Sequence, residues 1–140
     1  MSGSDGRQWL GTAFLVGLVY FALGFGSSAL AAAATSMRMV LFWRWSAFVA
    51  SGVAFAAHIA NESIRLRNAA RSTAWHTAVA VAIGAFVLAL GANLHDLGSA
   101  AGYRPRMLVA LVAWPLLTAV PAFVVALAAA AGIGALRPRS

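Results

Sequence analysis

The chain has 140 residues, 62% of them hydrophobic and 9% charged, with a mean hydropathy of +0.84. A soluble domain this small lacks the polar surface to cover so much apolar side chain, and disorder needs the opposite composition, so an integral membrane protein remains. The formal charge of +7 comes from ten basic residues, all arginine, set singly or in small groups between apolar runs; nucleic-acid binding, which needs a clustered basic face, is not expected.

Residues 1–8 carry Ser, Gly, Asp5 and Arg7 and read as a disordered N-terminus. A helix crossing the hydrocarbon core needs about 20 mostly apolar residues. The charge-free runs are 30 residues between Arg7 and Arg38, 17 between Arg44 and Glu62, 24 between Arg71 and Asp96, and 30 between Arg106 and Arg137. They predict spans over residues 9–34, 41–64, 74–97 and 107–135. Backbone groups in lipid must be bonded internally, and the runs are too long and too evenly apolar for barrel strands. The expected fold is therefore all-α, a transmembrane four-helix bundle over residues 9–136 in antiparallel up-and-down order.

The first span follows Arg7 and ends in a run of alanines at 31–34. Its apolar stretch exceeds the 7–15 residues of a signal-peptide core, which favours a retained helix. Gly17, Gly24 and Ser28 mark a face where another backbone could approach closely. The second span opens on Trp43, Arg44 and Trp45, an interfacial anchor in which arginine snorkels outward between headgroup-level indoles. Trp9 and Trp75 belong to the opposite interface, and Tyr103 to that of Trp43. The second span also carries Ala47, Ser51, Ala54, His58 and Asn61 at spacings of four and three.

The middle loop holds Arg65, Arg67 and Arg71. In the third span one small-residue face runs through Ala78, Ala82, Ala85, Ala89 and Ala92, and another through Ala80, Gly84 and Gly91. Pro105 suits a helix start. The fourth span contains Pro115 and Pro121, and interior proline predicts a kinked helix. Residues 137–140 form a short basic C-terminus. Six arginines fall on the side of the termini and middle loop and four on the other, so both termini are expected in the cytoplasm, with the chain in the inner (plasma) membrane.

Ionisable groups inside spans are where function concentrates. His58, Asn61, Glu62 and Arg65 share a helix face by their spacing. Across the loop lies His76, which in an antiparallel pair would differ in depth from His58 by roughly 6 Å. Three arrangements follow. In the first, Glu62 pairs with Arg65 or a loop arginine and His58 bonds a neighbour, a structural cluster. In the second, His58 and His76 bind haem between two helices, which needs facing imidazoles at equal depth. In the third, His58, Glu62 and His76 bind a metal or relay protons; what remains is binding of a lipid headgroup by the arginines of this loop. Asn93 could bond across helices, whereas His95 and Asp96 are expected in water at a helix end.

The chain has no cysteine, which excludes thiol chemistry. It also lacks the Walker A, dinucleotide-binding, zincin and nucleophile-elbow motifs, and its first span has no carboxylate of the kind small multidrug exporters rely on. The expected function is non-enzymatic: a structural or accessory membrane component, in contact with the lipid bilayer and with itself or another membrane protein. The alternatives are a haem- or metal-binding protein using His58, Glu62 and His76, and a small oligomeric transporter or channel in which Asn61, Glu62 and Asn93 line a shared cavity.

Overall fold

The computed structural model describes residues 3–97 and 106–136. Met1, Ser2, Tyr103, Arg104, Pro105, residues 137–140 and the side chains of Arg7, Asp96 and Arg106 lie outside the described part, and with them the expectations placed on these residues. Four long helices make up the fold: α1 (Gly3–Ala32), α2 (Met37–Ala60), α3 (Ala70–Leu97) and α4 (Arg106–Ala135). A π-helical turn, Asn61–Arg65, continues α2. No strand occurs among the described residues. Each helix is long and apolar enough to cross a membrane. The apolar stretch of α1 starts at Trp9, so Gly3–Gln8 extend the helix ahead of the span.

The connections follow from local chemistry. α1 ends in a turn of alanines, with the amide of Ala33 on the carbonyl of Ala29 at 3.0 Å. Ser36, in extended conformation, then caps α2 by accepting the Met39 amide on its hydroxyl. At the far end α2 widens: the Leu66 amide reaches back five residues to the Asn61 carbonyl at 3.0 Å. Arg67 follows with φ 54°, a left-handed conformation that turns the chain over to α3 three residues later. In α4 the Thr118 hydroxyl shares its hydrogen between the carbonyls of Trp114 and Pro115 at 3.0 and 3.1 Å, next to the prolines that interrupt the amide ladder.

α3 is the hub, packing most extensively on α4 and then on α1. α2 lies chiefly on α1 and touches α3 and α4 sparingly, while α1 and α4 do not meet among the described residues. Small residues line these contacts and let the helix backbones approach closely. A methyl added at Gly17 would stand 2.7 Å from the Ile83 side chain and 3.0 Å from the Ala80 carbonyl, and one added at Gly84 would stand 2.9 Å from the Gly17 carbonyl. The α1–α3 crossing therefore uses the Ala80–Gly84 face of α3. The second face contributes Ala78, Ala85 and Ala89 to the buried set. A core cluster of Ile59, Ala74, Ala126 and Ala130, enclosed by Phe55, Phe123, Leu127 and Ile133, joins α2, α3 and α4.

Two further details bear on what the fold presents. Large apolar side chains cover the outside of all four helices, among them Leu15, Phe25, Phe48, Val53, Leu94 and Leu117. At the end of α3, the Asn93 amide donates to the carbonyls of Ala89 and Met107, both at 2.9 Å, which ties the start of α4 to α3.

Candidate functional site

The polar side chains converge where α1 begins, α2 ends and α3 begins. The π turn is the cause. Its extra residue lets two neighbours, Glu62 and Ser63, face inward together, while Ile64 faces out. Glu62 is only 2% exposed. A carboxylate so far from water needs partners, and Glu62 has two. His76 donates from Nδ1 to Glu62 Oε2 at 2.7 Å, and the Asn68 amide donates to the same oxygen at 2.6 Å. The backbone closes the same turn, with the Asn68 amide on the Glu62 carbonyl at 3.0 Å.

The bond to a carboxylate places a proton on Nδ1 of His76. Its Nε2 lies 3.5 Å from the Ser72 hydroxyl, one turn earlier on α3. The indole of Trp9 stacks on the imidazole, with ring centroids 4.6 Å apart and planes inclined by 11°. Three chain segments thus hold one imidazole: α1 covers its face, the π turn takes its proton-bearing nitrogen, and α3 carries it. Glu62, one helical turn beyond His58, is the residue that meets His76; this is the depth offset expected from the sequence.

The first arrangement expected from the sequence is corrected at Glu62. Glu62 pairs with His76 and Asn68, and not with Arg65, which is exposed. Arg65 ends the π turn on its outer side, because the wider turn rotates it away from the face it would share in an α-helix. His58 is 6% exposed, yet among the described residues its Nε2 has no hydrogen-bond partner. Asn61 is half-buried at the mouth of the turn, and its amide bonds the carbonyls of Ala57 and His58. Asn93 does not join the cluster: it lies 17 residues beyond His76 on α3, about 25 Å along the axis. Among the described residues, Asn61 and Glu62 therefore share no cavity with Asn93. His95 is exposed.

Thr73 and Thr77, on either side of His76 in sequence, are fully buried, and among the described residues their hydroxyls have no partner. Among the described residues no three His, Cys, Asp or Glu side chains converge on a point where a metal ion could sit. The π turn, the role of Asn68 and the Trp9 stack are not legible in the sequence. The only signal available for Asn68 was an Asx residue in the loop beside a left-handed turn, which suits local side-chain bonding.

The chain matches no family model, no curated protein and no solved structure.

Proposed function

We propose that the chain is a structural or accessory protein of the inner (plasma) membrane. It lies in the bilayer as an antiparallel up-and-down bundle with both termini in the cytoplasm, its fourth helix bent at Pro115 and Pro121. The observation that carries this reading is the apolar outer wall on four helices of membrane-crossing length. Contacts at matched depth support the topology: Trp9 with His76 and Gly24 with Leu88 rise together along α1 and α3, whereas Ala74 meets Ala126 and Ala130, and Asn93 meets Met107. The accessory role follows from the polar cluster, whose carboxylate is engaged by two donors. The exposed apolar faces suit contact with lipid and with a second copy or another membrane protein. The test is extraction: the chain stays in the membrane pellet through alkaline carbonate and is released by detergent. Release into the aqueous fraction without detergent overturns the reading.

A second reading has its own support. Glu62 orients the His76 ring and leaves Nε2 directed elsewhere, as outer-shell carboxylates do for metal-bound histidines, and His58 Nε2 is buried without a partner. His58 and His76 would then be the ligands of a haem or a metal, with Glu62 bonded to Nδ1 behind the His76 ring. The lining by Trp9 and the 3.5 Å approach of Ser72 to Nε2 count against a group as large as haem. An absorbance spectrum and elemental analysis of the purified chain decide. A Soret band lost in His76→Ala establishes haem, and a featureless spectrum without bound metal removes the reading.

A further inference from the structure

A cleft of about 580 Å³ opens between α3 and α4 on the outside of the molecule. It runs from Arg71 and Trp75 at one end to Ala82 and Leu116 at the other, about 16 Å along α3. Alanines 78 and 82 of α3 and Ala119 of α4 leave the space, and its walls are apolar except at the Arg71 end. Behind the cleft the two helices meet where Ala74 packs with Ala126 and Ala130.

Among the described side chains, no carboxylate compensates the charge at the mouth. Glu62 is the one carboxylate among the described side chains, and His76 and Asn68 occupy it. Arg71 is exposed and has no acidic partner among the described residues. Trp75, one turn further in and 58% exposed, puts an amphipathic indole where a headgroup passes into hydrocarbon. A cation at the rim of a long apolar slot is complementary to one class of molecule: an anion carrying an alkyl chain.

We propose that the α3/α4 cleft binds an anionic glycerophospholipid, with its phosphate on the Arg71 guanidinium and one acyl chain along Ala78 and Ala82. A guanidinium matches phosphate with paired hydrogen bonds, and basic pockets between membrane helices hold anionic headgroups in this way. The proposal rests on the chain being embedded in a bilayer, as argued above.

The experiment uses the full chain in detergent, with phosphatidylglycerol or phosphatidylcholine added, read by native mass spectrometry and by thermal melting. Phosphatidylglycerol stays bound and raises the melting temperature; phosphatidylcholine does neither. Arg71→Gln weakens phosphatidylglycerol binding about tenfold, the loss of hydrogen bonds to a charged group. Ala82→Leu, which fills the slot and leaves the charge, weakens it comparably. Arg65→Gln, outside the cleft, changes it no more than about twofold at physiological salt. Circular dichroism identifies any variant that fails to fold, and Ala78→Leu then replaces Ala82→Leu as the slot-filling variant. Equal binding by the native chain and Arg71→Gln overturns the site. So does an Arg65→Gln effect as large as that of Arg71→Gln, or the same stabilisation by inorganic phosphate alone. A chain that is folded and monomeric without detergent sinks the membrane reading instead, which is a separate result.

Discussion

At the scale of single residues, Glu62 and Arg67 concentrate the energetic consequences. Removing the Glu62 carboxylate leaves the His76 Nδ1–H and the Asn68 amide without their acceptor in a buried setting. Glu62→Ala is therefore expected to cost about 2 kcal/mol, and Glu62→Gln, which keeps one acceptor oxygen, about 1 kcal/mol, in thermal or chemical melts in detergent. Equal melting of all three chains would remove the pair from the account of stability. Arg67 holds φ 54°, a region that costs a non-glycine residue about 1–2 kcal/mol. Arg67→Gly should leave stability unchanged or raise it slightly, whereas Arg67→Val should lower it by about 1 kcal/mol or more because branching at Cβ worsens the same clash. His58, Asn61, Glu62 and His76 could be selected from the sequence as polar groups in apolar runs. The partner of each could not, because one π turn changes which neighbours face inward.

At the scale of elements, glycines separate into two groups by what surrounds them. Gly17 and Gly84 have no room for a methyl, since the nearest atoms would be 2.7–2.9 Å away and include a carbonyl oxygen. Gly17→Ala and Gly84→Ala are each expected to cost about 1–3 kcal/mol by forcing α1 and α3 apart. Gly52 and Gly26 have nothing within 4 Å, so Gly52→Ala and Gly26→Ala should be neutral or stabilising by up to about 1 kcal/mol through helix propensity. If all four variants melt alike, close α1–α3 approach is not what holds these helices together. Alanine and glycine stripes were visible in the sequence on both faces of α3, but the partner of each face was not. Small residues permit close approach without specifying a neighbour, and only packing assigns Ala80 and Gly84 to α1.

At the scale of the whole molecule, the arrangement is a hub and not a symmetric square. α3 lies between α1 and α4, with α2 leaning on α1 and reaching the others mainly around the π turn and core cluster. Sidedness can be checked in a chain that has no cysteine of its own. Single variants Thr35→Cys and Ala69→Cys, both at exposed connections, should react with a membrane-impermeant maleimide from opposite sides of sealed vesicles, with Ala69→Cys on the cytoplasmic side. Labelling of both from one side would overturn the up-and-down topology.

Composition and run length by themselves determined the number of helices and the suitability of each for hydrocarbon, but not that α1 would begin at Gly3 within residues expected to be disordered. Those properties depend on the solvent each segment tolerates, and a segment carries that tolerance in its own side chains. Packing alone decided that Glu62 meets His76 under Trp9 rather than an arginine, that Asn93 clamps α4, and that α3 occupies the centre. Each of these depends on the rotation of one helix about its axis relative to another, and in helices apolar on every side no amphipathic face announces that rotation.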